Sequence, residues 1–452
     1  MTSARTSKQA RQGEDVSATL SGERARTGRE HTKTFSFFGG FGLGNFGNES
    51  TLQAILNDVR RLIPDIEVNC ICTGPAATAT LHNISTLPMS STMVEAWMPD
   101  NRVLKVLRAI FVGVPNELSR WFEAFALLKG TDVLIIPGTG LLTDAFGVRS
   151  WGPYTLFRWT LTAKMRNCKV LFVSVGAGPI YSRAGRWLTR WALAFADFRS
   201  YRDVETKEFL NSIGASVAND AVYPDLAFSI ADQLEPNSAI PRRRAVVGLG
   251  LMLYHRRLSA DAGRESTYAA YLEQLILFAN WLLAQGYDIR LLIGELSDRP
   301  VIAEFKDLLR DRSPHYDVDR IVDEPIVSVG DLLSQIAETD FVVATRFHNV
   351  LLALALNKPV VSISFHQKCT SLMKGMGLQE YCQEIKQLNA ERLIEQFGEL
   401  EKNAGSLKDM IKDKVADRRK ALDEQYRVIF EEVLERTIIQ SSSRTASVAP
   451  HC

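Results

Sequence analysis

Along most of the chain, short apolar runs alternate with stretches in which apolar residues recur every three or four positions, the pattern of strand–helix–strand units on parallel sheets. Two sets stand out. In the first, runs at 34–38, 68–73, 132–136 and 170–175, with shorter ones near 198 and 217, read as strands, and periodic stretches at 50–63, 115–128, 154–165 and 185–195 read as helices. In the second, strands are predicted at 245–251, 288–293, around 321, 341–344 and 360–363. Helices are predicted at 267–285, 301–309, 329–338, 349–356 and after Lys368. Two prolines bracket 236–241, which reads as a linker. The fold class is therefore α/β. Two Rossmann-like doubly wound domains, 34–234 and 242–395, are expected to face a central cleft, with a charged helical region at 396–440 packing back across one or both. Residues 1–33 and 441–452 are too polar to bury a core and are expected to be disordered.

Composition narrows the function. A length of 452 residues exceeds what one core usually fills, and a charged fraction of 23% argues against wholesale disorder. With 53 Lys+Arg against 52 Asp+Glu there is no global basic field, so no nucleic-acid partner is expected and any anion must be gripped locally. Six scattered cysteines show no CxxC zinc spacing and read as a reducing compartment, with no metal expected. The first 30 residues lack the apolar block of a signal peptide. The most apolar stretch, 341–365, is broken by Arg346, His348 and Asn357-Lys358-Pro359, which would be costly in lipid. A soluble or peripheral chain in the cytoplasm is the expectation.

Candidate chemistry sits at predicted strand ends. Gly42, Gly44 and Gly47 form a GxGxxG between a strand and a helix, flanked by Asn45 and Glu49, where backbone amides favour an anion. A dinucleotide is disfavoured, because the next strand runs into Thr73-Gly74 without the acidic residue that grips a ribose. The glycines serve either an anionic or sugar ligand or only a tight turn. A second turn, carrying Gly138 and Gly140, again permits close backbone approach, and Asp144 at its end either takes protons from sugar hydroxyls or caps a helix. Asp203 reads as an N-cap, and Arg202 beside it as a carboxylate or phosphate clamp or a surface arginine. Most informative is Thr345-Arg346-Phe347-His348: a fixed positive charge and a group titrating near neutrality, at a strand end beside a helix N-terminus, can hold an anion and move a proton. His366 and Lys368 lie at the next strand end. Arg183, Arg186, Trp187, Arg190 and Trp191 recur at helical spacing, which suits a membrane interface or lipid diphosphate, or simply a helix with core tryptophans and solvated arginines.

From about 35 to 383 these motifs, in this order, resemble the polysaccharide pyruvyl transferase family: Gly44-Asn45-Phe46-Gly47-Asn48-Glu49, Gly138-Thr139-Gly140-Leu141-Leu142-Thr143-Asp144, Gly176-Ala177-Gly178-Pro179, Arg202-Asp203, Tyr223-Pro224-Asp225, Thr345-Arg346-Phe347-His348 and Phe365-His366-Gln367-Lys368. Two departures are Gly-Thr-Gly in place of consecutive glycines and Asn48 in place of a frequent aspartate. The resemblance implies a GT-B-like fold and transfer of the pyruvyl group of phosphoenolpyruvate to a saccharide as a ketal, in exopolysaccharide or cell-surface glycan synthesis, with no cofactor beyond that donor. It further implies that Arg346, with Arg202 and Lys368, holds the donor's anionic groups, that the glycine-rich amides assist, that His348 is the general acid, and that Asp144 or Glu49 takes the hydroxyl proton or orients the sugar. A lipid-linked acceptor would bring the enzyme to the inner face of the membrane. The rival readings are a GT-B glycosyltransferase using a sugar nucleotide and a noncatalytic ligand-binding relative.

Overall fold

The computed structural model describes residues 33–90, 101–144, 152–233, 244–254, 262–312 and 317–435. The expectations for the first 32 residues, the 236–241 linker and the tail from 441 lie outside the described residues. From Lys33 onward the chain forms one compact unit.

Its first half builds a wholly parallel sheet of β1 (Thr34–Gly39), β2 (Glu67–Cys72), β3 (Ser85–Pro88), β4 (Val133–Pro137), β5 (Lys169–Val175), β6 (Phe198–Tyr201) and β7 (Ala221–Val222), in the order β3-β2-β1-β4-β5-β6-β7. The second half builds another from β8 (Val246–Leu251), β9 (Asp288–Ile293), β10 (Ile321–Val322), β11 (Phe341–Ala344), β12 (Val360–Ser364) and β13 (Cys382–Glu384), ordered β10-β9-β8-β11-β12-β13. Central strands such as β4 and β8 are buried at every position, which is why they read as unbroken apolar runs. In both sheets the order reverses beside the first strand, placing the switch points between β1 and β4 and between β8 and β11.

The crossovers in the first half are α1 (Phe46–Leu62), α2 (Pro75–His82), α3 (Arg102–Arg108), α4 (Val114–Leu127), α5 (Pro153–Met165), α6 (Arg183–Ala194) and α7 (Val204–Ser212). Those of the second half are α8 (Ala262–Ala284), α9 (Arg299–Arg312), α10 (Val329–Ala337), α11 (Phe347–Ala355) and α12 (Gln367–Gly375), followed by α13 (Ala390–Lys402) and α14 (Ala404–Arg427). Local chemistry sets several starts: Asn45, Ser182 and Asp203 each accept a backbone N–H as N-cap, and Ser328 with Asp331 forms a capping box. The strand expected near Val217 is absent. Val217 is buried in a loop, and the edge strand pairing with β6 is Ala221–Val222.

The halves share an apolar core running from Phe35 and Leu52 through Leu226 and Phe228 to Val247 and Leu351. They are also seamed by backbone: Phe46 N–H donates to Gly294 O (3.1 Å), Leu296 N–H donates to Gly44 O (2.8 Å), and Asn45 bridges Glu295. Near its end α14 reaches the first sheet, where the Gln425 amide bonds Ser174 and Ser200. Ser174 is buried at φ +50°, in the left-handed region, where β5 shifts register against β6.

Candidate active site

Four chain segments deliver a compact set of charged side chains to the carboxyl ends of the strands. Arg202 follows β6, and its guanidinium lies against Gly176, where a Cβ would sit 2.5 Å from Cζ, and over the Phe347 ring at 5.2 Å. Lys368, in the first turn of α12, places Nζ 5.2 Å from the centroid of the same ring. His348, in the first turn of α11, rests against the start of α1, and Asp225 follows β7. The buried Asp225 accepts the Ala227 N–H on Oδ1 (3.1 Å), while its Oδ2 lies 3.5 Å from Arg202 Nη1 and 3.8 Å from His348 Nε2. Asp225 Oδ2, Arg202 Nε and His348 Nε2 are all buried without a hydrogen-bond partner among the described residues. Arg202 Nε lies 3.4 Å from Asp203 Oδ2, and buried polar atoms left without a hydrogen bond within one cluster mark a candidate ligand site.

The electrostatics agree. Burial, then the charges of Lys368 and Arg202, hold the His348 imidazole well below its ordinary pKa. Burial and Arg202 bring the Lys368 ammonium down to about 8. Burial pushes the Asp225 carboxyl up, against the pull of Arg202. His366, at the rim beside them, is lowered by the partial burial of its ring and by Lys368 and Arg202, and its Nδ1 accepts the Lys368 N–H as cap of α12. An ammonium and an imidazole lowered by burial and by neighbouring positive charge describe a site suited to an anion. The N-termini of α11 and α12 add their dipoles.

Several residues marked in the sequence do other work. Arg346 is committed to carboxylates: Nε and Nη2 donate to Asp298 at 2.8 and 2.6 Å, and Nη2 lies 3.2 Å from Glu295. These contacts brace the segment after β9 and occupy two of the three Arg346 guanidinium nitrogens. Asp144 accepts from Tyr181 N–H, Ser182 N–H and Ser182 Oγ–H at 2.7–2.9 Å, which fixes the N-cap of α6 and lowers its pKa despite burial, so it is a poor base. Glu49 is buried, accepting the Gly42 N–H (2.7 Å) and facing His82 Nε2 (2.9 Å), so it pins the first turn from inside. Gly44 and Asn45 belong to the interdomain seam, where a Cβ on Gly44 would meet Leu296 at 2.6 Å. Gly47 does border the site, as the wall against His348. Gly138 packs under Ser174 O, and Gly140 is open to solvent. Among the described residues no group of His, Cys, Asp and Glu is arranged to hold a metal ion.

The sequence model of the polysaccharide pyruvyl transferase family matches residues 45–367, a span from the start of the seam to the base of Lys368. The chain belongs to that family. A relative, the amylovoran biosynthesis protein AmsJ of Erwinia amylovora, is 19% identical over 381 residues, 76% of this chain and 86% of its own. Among solved structures, a glycosyltransferase from Rickettsia africae matches with a TM-score of 0.54 at 13% identity, covering 89% of this chain and 99% of that one. A UDP-GlcNAc 2-epimerase from Neisseria meningitidis matches with a TM-score of 0.53 at 12% identity, covering 84% and 94%. These likenesses establish the two-domain α/β fold shared by GT-B-type proteins. The sequence reading quoted Tyr223-Pro224-Asp225 among the family motifs but gave Asp225 no role in the site. Asp225 stands three residues beyond the edge strand, after Tyr223-Pro224, and the fold brings it to Arg202.

Proposed function

We propose that this pyruvyl transferase uses phosphoenolpyruvate as donor and forms a ketal on a saccharide acceptor, with Arg202, Lys368, His348 and Asp225 as its working set. The observation that carries the reading is the convergence of two cations and an imidazole at the strand ends, where His348 and Lys368 are both lowered in pKa and His348 Nε2 and Asp225 Oδ2 have no hydrogen-bond partner among the described residues. Arg202 presents a fork suited to a carboxylate or phosphate, and Lys368 a compact charge. Before donor binding, His348 is neutral near pH 7. The donor's negative charge offsets Lys368 and Arg202, raises the imidazole pKa and lets it take up a proton on binding.

His348 then gives that proton to the methylene carbon, which becomes a methyl group and leaves an oxocarbenium-like C2. A sugar hydroxyl adds to C2 and passes its proton to Asp225, whose raised pKa makes it a better base than Asp144. The C2–O bond to phosphate breaks, a second hydroxyl closes the ring, and its proton leaves with the phosphate. Arg202 and Lys368 stabilise the departing charge.

The test is phosphate release from phosphoenolpyruvate with a panel of saccharides. His348→Ala, Arg202→Met and Lys368→Met should each lower turnover by at least about a hundredfold. Stabilisation of the protein by a nucleoside diphosphate and none by phosphoenolpyruvate would overturn the assignment.

A further inference from the structure

We propose that the face formed by α3, α4 and α6 is a docking surface for an anionic lipid bilayer. The segment from Arg102 to Leu127 runs α3, a π-helical turn (Ala109–Gly113) and α4 almost continuously. Along it Leu104, Leu107, Phe111, Val114, Leu118 and Phe122 recur every three or four residues, the stripe that normally packs on a core. Here the stripe faces outward: Phe111 is 72% exposed, Phe122 74%, and the other four are exposed as well. The buried side of α4 is marked by Ala124, a residue too small to anchor it alone.

The patch continues sideways. Phe157 of α5 touches Trp121 of α4 (6.3 Å between centroids) and Trp187 of α6 (5.9 Å), and Trp187 touches Trp191 (6.1 Å). Both α6 tryptophans are about half exposed, at 52% and 46%, and Tyr181 just before them is 75% exposed. A contiguous apolar surface of this extent is unusual on a monomer and marks a binding face.

Charge selects the occupant. Residues 102–129 contain five Lys/Arg and 183–195 three, against Glu117 and Glu123, in a chain whose net charge is +1. On α6, Arg183, Arg186 and Arg190 are exposed on the same side as the tryptophans. Exposed aromatics and aliphatics rimmed by cations are what a helix lying in the headgroup layer of an anionic leaflet requires, and an apolar protein partner would not call for the arginines. No described helix is long and apolar enough to cross a membrane, so the contact is an interfacial one.

The experiment is co-sedimentation of the full chain with vesicles of phosphatidylcholine alone and with about 30 mol % phosphatidylglycerol, at low and high salt. Binding should favour the anionic vesicles several-fold and weaken with salt. The double variant Phe111→Ser/Phe122→Ser should lower the partition coefficient about tenfold, and Arg183→Glu/Arg190→Glu should abolish the preference for anionic lipid. Leu277→Ser, an exposed apolar residue on α8, should change neither. All variants should keep wild-type thermal stability, which separates this result from any outcome of the phosphoenolpyruvate assay. A full chain that stays in the supernatant with anionic vesicles overturns the proposal. So does a dimer in solution that the Phe111/Phe122 variant splits, because the face would then join two copies.

Discussion

The imidazole of His348 fills the space above Gly47: a Cβ built on that glycine would lie 2.0 Å from Nδ1. The first half of the chain thus fixes the position of a residue that the second half supplies, and does so by lacking a side chain. Gly47→Ala should displace the ring and cost at least about tenfold in turnover, while α1, which gains helix propensity, keeps its far-ultraviolet circular dichroism. Unchanged kinetics in the alanine variant would mean that His348 has freedom the packing denies.

Lys368 should impose a pH dependence on anion binding. Its pKa stands near 8 without a bound anion, which would raise it, so binding takes up a proton above that pH. Affinity for inorganic phosphate or phosphoenolpyruvate, measured by calorimetry, should therefore fall as pH rises through about 8. In Lys368→Met that fall should be absent. The stability of the unliganded protein carries the opposite sign: the unfolded chain holds the lysine proton more tightly, so thermal stability should gain from this group between about pH 8 and 10.5.

Arg346 is predicted to behave as a brace. Its partner Asp298 is fully buried and also accepts the Leu253 N–H at 2.9 Å. Asp298→Ala strands a mostly covered guanidinium and should cost about 3–5 kcal/mol, read as a loss of urea midpoint. Arg346→Lys, which keeps the charge but loses the fork, should lower stability while leaving the KM for phosphoenolpyruvate within about threefold. A large rise in KM at full stability would return Arg346 to the donor site.

The contrast between these arginines shows what the sequence carries. Strand runs such as 132–136 and 341–344 were legible because strands buried on both faces have no polar positions, and from them the two sheets and their facing edges followed. The short edge strands β3 and β13 and the helix α2 offered too few residues for a period. Arg202, Lys368 and His348 were legible as strand-end charges. Arg346 looked the same, and what sets it apart is Asp298, 48 residues earlier in the chain, whose approach no local pattern announces. The backbone contacts of Asp144 and Glu49 were illegible for a related reason: an acidic residue after a glycine turn reads alike whether its oxygens face a cleft or the backbone of a neighbouring loop.

Those two carboxylates supply a further check. Asp144→Asn keeps one acceptor of the loop anchor and should lower thermal stability by roughly 1–3 kcal/mol, with turnover per folded molecule within about threefold. Asp225→Asn should do the reverse, losing at least about a hundredfold in turnover with little change in melting temperature. Equal damage to turnover from both would remove the distinction between anchor and base.

The reach of Gln425 into the first sheet bears on how this chain is made. Ser174 holds its left-handed backbone beneath an amide synthesised some 250 residues later, so the amino-terminal half leaves the ribosome with its central bulge unsecured. A fragment ending at the interdomain segment should accordingly be a short-lived target for proteases, and chaperone demand during synthesis should end only once the final helix has emerged.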